Sequence, residues 1–172
     1  MRRMVLVVGL ALSVSAAATA QTKFSAKEQC GQPDSQLAVP VGDQAGHVLM
    51  LAHVRCTWPE GEMVGTKMET SEDSFWGEIH GSSSSDRGYA VVGLAGGDKA
   101  FVRFEGKTTL KDGKPSEGKG TWVFLGGTGK LKGIKGKGTY AGKAGADGSF
   151  ANDIEGEYTI GAVPAKAESK KK

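Results

Sequence analysis

The side chains with the most diagnostic chemistry in this sequence are three histidines and two cysteines. A metal site needs three or four converging ligands, and only His53 and Cys56 lie close together in the sequence, with His47 and His80 elsewhere. The cysteines, Cys30 and Cys56, do not form a Cys-x-x-Cys redox motif. An even cysteine count in an exported chain indicates a disulfide. We therefore expect a Cys30–Cys56 bond, and predict no metal site and no cofactor.

Nucleotide binding and serine hydrolase chemistry are not supported by the motifs present. Eleven glycines fall within residues 118–148. A phosphate-binding loop would need a glycine where Phe124 stands and a serine or threonine where Leu131 stands. The spacing of Gly127, Gly129 and Gly133 is one residue too long for a dinucleotide fingerprint. No Gly-x-Ser-x-Gly motif occurs, and no catalytic residue is assigned.

Carboxylates at a spacing of two share one face of a strand, and Asp153, Glu155 and Glu157 have this spacing. They alternate with a largely apolar series in residues 150–160. Such a pattern is typical of a strand with one face in the core and one face in solvent. We interpret the three acids as that solvated face rather than as a catalytic cluster.

The first twenty residues have the composition of a signal peptide. Arg2 and Arg3 precede an apolar run from 4 to 14, which is shorter than the about 20 residues that cross a bilayer. Small residues follow, with a cleavage site predicted before Gln21. The sequence thus predicts an exported protein, periplasmic or secreted, without stable membrane insertion.

The basic character of the chain belongs to its two ends. The formal net charge is +3, yet residues 21–163 hold 16 basic and 18 acidic side chains. A near-neutral domain lacks the electrostatic footprint of a nucleic-acid-binding protein. The lysine-rich residues 164–172 are expected to form a disordered tail.

Alternating residues and turn signals predict strands throughout the mature chain, whereas no helical periodicity is sustained after residue 20. Asp112-Gly113 is a typical hairpin turn, and the serines of 82–85 are interpreted as a loop. The segment 47–54 has apolar residues on both faces of the predicted strand, which indicates a buried strand. Strand-like segments recur at 47–54, 63–70, 74–80, 87–94, 99–105, 120–125, 136–142 and 150–160.

About eight strands with short connections predict an all-β fold, a single antiparallel barrel, because closure leaves no exposed sheet edge. Glycines within the strands fit the bending of a small barrel. The predicted organisation is a signal peptide at 1–20, an irregular N-terminal arm at 21–46, the barrel at 47–163 and the tail at 164–172.

The segment 120–140 combines a strand, Gly-Gly-Thr-Gly, a short turn, and a Gly-x-Gly-x-Tyr strand. It resembles bacterial exported proteins with an allene oxide cyclase-like barrel, whose calycin-like architecture is shared with dirigent proteins. In this interpretation Trp122 and Phe124 enter the core, and Leu131 and Ile134 tuck a short helical turn under the barrel end. The resemblance transfers no catalytic residue to a position in this chain.

Two functions remain in the sequence analysis. The first is a non-enzymatic barrel that binds a small apolar molecule, since an eight-stranded barrel can hold one such ligand. The second is an isomerase or cyclase acting on an unsaturated or oxygenated lipid, which would need a buried carboxylate with a raised pKa. Alternation alone selects Trp76, Glu78, Phe101 and Arg103 as ligand-lining residues. The oligomeric state is left open.

Overall fold

The computed structural model describes residues 21–161, so the predicted signal peptide and the lysine-rich tail lie outside the described residues. The described chain forms ten strands and one short 3₁₀ helix. Among these residues no helix has the length and hydropathy needed to cross a membrane. The strands are β1 (Thr22–Cys30), β2 (Ser35–Pro40), β3 (His47–Glu60), β4 (Glu62–Met63), β5 (Thr66–His80), β6 (Ser83–Leu94), β7 (Lys99–Lys111), β8 (Lys114–Gly127), β9 (Ile134–Ala144) and β10 (Phe150–Ile160), with the 3₁₀ helix at Gly129–Leu131.

Eight of these strands close into an antiparallel barrel, as predicted. Their order is β3-β1-β10-β9-β8-β7-β6-β5, and β5 pairs again with β3 to complete the circle. Strand β2 continues along the edge of β3 beyond β1, and β4 forms a short hairpin with β5. The predicted turn at Asp112-Gly113 is confirmed: both residues have positive φ, and Lys111 pairs with Lys114.

The segment 21–46 differs from the irregular arm that the sequence suggested. Strand β1 lies within it and pairs with β10 along its whole length, and with the C-terminal half of β3. Its alternation of Phe24, Ala26, Glu28 and Cys30 is a strand pattern in which an acid takes an apolar position. The barrel therefore begins at β1, and without it β10 and β3 would each have a free edge.

Two other segments also differ from expectation. Ser83–Ser85 belong to β6, and Ser84 is buried inside the barrel rather than lying in a flexible loop. In β3, Leu49 and Leu51 are half exposed on the outer face, while Ala52 and Val54 face inward. A run of apolar residues does not show which parity is buried, because the outer wall of this barrel also carries large apolar side chains.

One end of the barrel is filled by apolar side chains. Met63, Met68, Leu131 and Ile134 are each at most 2% exposed there. As predicted, Leu131 and Ile134 flank the 3₁₀ turn beneath the barrel, and Trp122 and Phe124 point into the core. We call this part of the interior the closed end.

Candidate functional site

The barrel interior contains a cavity of about 700 Å³. It extends from the closed end, where Trp58, Met63 and Met68 line it, to a mouth at the opposite end. Loops with exposed residues frame that mouth, including 31–33 and 144–148. On one side of the mouth, where β1 and β10 are paired, the Gln32 side-chain amide donates a hydrogen bond of 2.7 Å to the Asp147 carbonyl. The cavity is thus a blind pocket with a single framed opening.

Polar side chains interrupt the apolar wall between the mouth and the closed end. They come from six strands and form what we call the polar belt. Three of its members are acidic. The polar belt consists of Glu28, Ser71, Asp73, Ser84, Asp86, Thr108, Tyr140 and Asn152.

Glu28 is an acid of the belt whose two carboxylate oxygens both have hydrogen-bond partners. It accepts hydrogen bonds of 2.9 Å from the Ser71 hydroxyl and from the Asn152 side-chain amide. Burial in the low-dielectric interior nevertheless raises the pKa of Glu28, because desolvation outweighs the two hydrogen bonds that favour its charged form. β1, β5 and β10 together hold this carboxyl in a fixed position.

Asp73 lies on β5 two residues from Ser71, on the same inward face. Burial raises its pKa well above the ordinary value of 3.8, and the neighbouring charge of Glu28 raises it further. Its Oδ1 is buried and has no hydrogen-bond partner among the described residues. The indole N–H of Trp58 and the Oδ1 of Asn152 are also buried and unpartnered in this part of the chain. A buried polar atom without a partner costs roughly 1–3 kcal/mol, so these three atoms are unusual within one wall.

Asp86 occupies the mouth side of the belt. The hydroxyls of Ser84 and Thr108 donate to its two oxygens at 2.5 and 2.6 Å. Tyr140 stands nearby on β9, and burial, together with the charges of Asp86 and Glu28, raises the pKa of its hydroxyl. Lys114 at the mouth is the only basic side chain among the described residues that line the cavity. The interior therefore presents acids and hydroxyls without a compensating cation.

The predicted disulfide is present beside the belt. Cys30 and Cys56 are bonded where β1 meets β3, and Cys30 contributes to the cavity wall. Their sulfurs lie near the carboxylates of Glu28 and Asp73. Since oxidised cysteines provide no thiolate, this group of four side chains is not a thiolate metal site.

The four ligand-lining residues predicted from alternation lie on the outer surface of the barrel. Trp76 and Phe101 are 46% and 37% exposed, and Glu78 and Arg103 are also exposed. None of the four lines the cavity. The strands were identified correctly, but the face of each strand that points inward was assigned wrongly. Phe75, Val102 and Phe104 are the inward neighbours that line the cavity instead.

Sequence reasoning missed the acidic members of the belt. Each stands in an alternating series of small or apolar residues, such as Ser84, Asp86, Gly88, Ala90 and Val92 on β6. An acid within such a series is the signal that could have identified an interior site. The acids of β10, in contrast, lie on the outer parity as predicted, with Asp153 and Glu155 exposed.

Comparison of the chain with protein-family models and with curated proteins gives no match. The cavity and its polar belt are the features of the described residues that indicate a function.

Proposed function

We propose that the barrel binds one small, uncharged, largely apolar molecule that carries an oxygen function, such as a fatty alcohol or ketone. The observation that carries this proposal is the unpartnered, buried Oδ1 of Asp73 in the wall of a cavity of about 700 Å³. Pockets for small molecules commonly measure roughly 300–1,000 Å³, with few polar groups in an apolar wall. An oxygen-bearing ligand would give the Asp73 carboxyl a partner.

The charge of the wall supports an uncharged ligand. Glu28, Asp73 and Asp86 face the cavity, and a carboxylate ligand would add a further negative charge in a low-dielectric space. A carboxyl that keeps its proton can donate a hydrogen bond to a carbonyl or ether oxygen, and it can also accept one from a hydroxyl. The raised pKa of Asp73 favours that protonated form.

A matched series of ligands with one chain length tests this proposal. Trp58 and Trp122 line the cavity, so a ligand should change the tryptophan fluorescence and raise the melting temperature. We expect the alcohol and the ketone to bind more tightly than the alkane, and the fatty acid to bind weakly at pH 7. If none of these ligands changes the fluorescence or the melting temperature, the proposal is wrong.

Two variants provide matched controls. Asp73→Leu should reduce the preference for the alcohol over the alkane by about fivefold, the value of one hydrogen bond of roughly 1 kcal/mol. Trp76→Phe removes an exposed indole on the outer wall, so it should leave both affinity and preference unchanged. An unchanged preference in Asp73→Leu would contradict the assigned position of the oxygen function.

The second candidate function is an isomerase or cyclase that acts on an oxygenated lipid in the same cavity. It is favoured by the neighbouring acids Glu28 and Asp73, whose raised pKa values are typical of acid–base groups. The Asp73 carboxyl would protonate an epoxide or carbonyl oxygen of the substrate. The Glu28 carboxylate would accept the proton that leaves a neighbouring substrate carbon as the carbon–oxygen bond of the epoxide breaks and a carbon–carbon double bond forms. The substrate is then isomerised without gain or loss of atoms, and the proton returns from Glu28 to its neighbour Asp73 before the next turnover.

Variants of these acids separate catalysis from binding. Asp73→Asn and Glu28→Gln keep the shape of the wall but remove the transferable proton and the base. With an unsaturated epoxide of a fatty alcohol, we expect both variants to bind and neither to isomerise it. Binding without any conversion by the wild-type protein would leave the binding function and exclude the enzymatic one for this substrate.

We also propose that the barrel belongs with the allene oxide cyclase-like barrels that the segment 120–140 resembles. Support comes from the closed eight-stranded architecture and from the 3₁₀ turn after Gly126-Gly127, whose Leu131 is buried. We further propose export to the periplasm or the medium, because residues 1–20 have the composition of a signal peptide. The Cys30–Cys56 disulfide supports this proposal, since disulfides persist in oxidising compartments. Mass spectrometry of the protein recovered outside the cytoplasm should give a first residue near Gln21, and an intact Met1 would contradict export by cleavage.

A further inference from the structure

Three side chains on the outer wall, away from the cavity, point nitrogen and oxygen atoms at one another. His47 on β3 pairs directly with His80 on β5, and Glu78 lies two residues before His80 on the same face. The Nε2 atoms of His47 and His80 lie 3.1 and 3.2 Å from the same Glu78 oxygen, Oε1. One ligand atom from each side chain lies within 4.8 Å of the others.

We propose that His47, Glu78 and His80 form a binding site for a divalent transition-metal ion, with Zn²⁺ as the best match. The site is distinct from the ligand cavity and does not depend on its function. Two imidazoles and a carboxylate are a donor set that zinc accepts, whereas Mg²⁺ and Ca²⁺ prefer oxygen ligands alone.

The distances fit such an ion. In a tetrahedral zinc site with bonds of about 2.0–2.1 Å, the ligand atoms lie about 3.3 Å apart. The two observed nitrogen–oxygen distances are close to this value. Both Nε2 atoms lie beside one carboxylate oxygen, so the three ligand atoms face the same region of the surface. The imidazole rings are stacked with centroids 4.1 Å apart and planes 27° apart. Because the lone pair of each nitrogen lies in its ring plane, His80 must rotate out of the stack to bind the same ion, and its half-exposed position leaves room for that rotation.

Neighbouring groups orient the two imidazoles as outer groups do in metal sites. The Nδ1 atom of His47 lies 2.6 Å from a carboxylate oxygen of Asp43, which matches the carboxylate–histidine pairs behind zinc ligands. The Gln44 side chain meets Nδ1 of His80 at 2.8 Å. The His47 side chain is only 10% exposed, whereas those of His80 and Glu78 are about half exposed. A water molecule could therefore supply the fourth ligand.

Metal binding requires Nε2 atoms without protons. His47 would release its Nε2 proton to solvent and keep the Nδ1–H that it donates to Asp43. His80 would carry its proton on Nδ1, where the Gln44 amide, turned to present its oxygen, would accept the hydrogen bond. The ion thus replaces two N–H contacts to Glu78, keeps the Asp43 contact of His47, and requires only that the Gln44 amide turn over.

The experiment is a titration of the untagged, disulfide-bonded protein with Zn²⁺ in a calorimeter, and with Co²⁺ as a spectroscopic probe of coordination. We expect one ion per chain. His80→Ala and Glu78→Gln change exposed side chains and should weaken Zn²⁺ binding by about 100-fold or more, while Asp43→Asn should weaken it by about 10–100-fold. The visible absorption bands of bound Co²⁺ should weaken most in His80→Ala and Glu78→Gln, and less in Asp43→Asn.

His53→Ala is the matched control. His53 lies on the same strand as His47, but its nearby acid is Asp34, at 3.4 Å. The proposed site predicts that His53→Ala binds Zn²⁺ like the wild type. Absence of binding in the wild type, binding unaffected by His80→Ala and Glu78→Gln, or an equal loss in His53→Ala would each overturn it. Circular dichroism and the melting temperature of each variant show that a loss of binding does not come from unfolding.

Discussion

The closed end and the polar belt lie in the same barrel interior, yet they differ in almost every physical property. Met63, Met68 and Leu131 fill the closed end and leave almost no surface exposed. The belt places three acids, an unpartnered carboxyl oxygen and a cavity where a core would otherwise continue. Close apolar packing stabilises a fold, whereas buried charge and empty space cost free energy. The closed end therefore contributes stability, and the belt gives up stability at the place where we propose function.

The largest effect on stability is expected from a cavity-forming substitution at the closed end. Leu131→Ala should lower the free energy of unfolding by about 2–5 kcal/mol, because Leu131 is fully buried and its loss leaves a cavity. Urea unfolding followed by tryptophan fluorescence measures the change. Leu125→Ala is the control: Leu125 is 54% exposed, and the change should stay within about 0.5 kcal/mol. Similar losses in the two variants would contradict the role assigned to the closed end.

The disulfide beside the belt should compensate for part of the belt's cost. Cys30 and Cys56 are 26 residues apart in the sequence. On the chain-entropy model, a loop of this length stabilises by about 3 kcal/mol. The double variant Cys30→Ser/Cys56→Ser should lose this amount in urea unfolding. Reductant should destabilise the wild type to a similar extent and leave the double variant unchanged; an effect of reductant on both would assign the loss to something other than this bond.

The polar belt should lower the free energy of unfolding, in contrast to the closed end and the disulfide. The size of this loss should depend on pH. Folding raises the pKa of Asp73 above its ordinary value of 3.8, so the unfolded chain releases this proton at lower pH than the folded chain. The contribution of Asp73 to the free energy of unfolding is therefore most favourable below about pH 4. It falls as the pH rises towards the pKa of Asp73 in the folded state. Asp73→Asn should therefore be more stable than the wild type at pH 7, with the gain lost at pH 4.

Urea midpoints measured from pH 4 to pH 8 test this linkage. Asp153→Asn is a control on the exposed outer face of β10. A wild-type stability that rises with pH relative to Asp73→Asn would show that the interior favours a charged Asp73. The polar belt would then stabilise the fold, and the proposed loss of stability at the binding site would be wrong.

The smallest effect is expected on the outer wall. Lys27 and Glu60 form an ion pair at 3.3 Å, with both side chains more than half exposed. Exposed pairs contribute about 0–1 kcal/mol, so Lys27→Ala should change the urea midpoint only slightly, and less at high salt. A loss comparable to that of Leu131→Ala would contradict the contrast between interior and exterior.

Much of the fold could be predicted from the sequence, because alternation and turn chemistry are local properties. Residues 150–160 show the clean parity that the structure confirms, and Asp112-Gly113 adopts the expected turn. The barrel was expected from about eight strands and the absence of helices, but the predicted strands at 63–70 and 74–80 fall largely in the single strand β5, and β1 supplies the remaining one. Strand β1 escaped notice because Glu28 interrupts its apolar parity, and Ser83–Ser85 because serines are typical of loops.

The candidate site could not be derived in the same way. Trp76 and Phe101 were selected over Phe75 and Val102, although one set faces solvent and the other the cavity. In a barrel with apolar side chains on both faces, hydropathy alone does not identify the inner parity. The convergence of Glu28, Asp73 and Asn152 depends on the pairing of β1 with β10 and on closure through β3, which brings distant segments together.

The glycines of the inner wall explain how the cavity stays open despite its aromatic lining. Trp122 lies against Gly138 and Gly156 on neighbouring strands, and a β-carbon at either position would collide with the indole ring. Tyr140 lies in the same way against Gly106 and Gly120. These rings occupy the space that side chains at the four glycines would fill. The room left for a guest molecule thus depends on these glycines, because a methyl group added at any of them would collide both with the aromatic ring and with the backbone of the next strand.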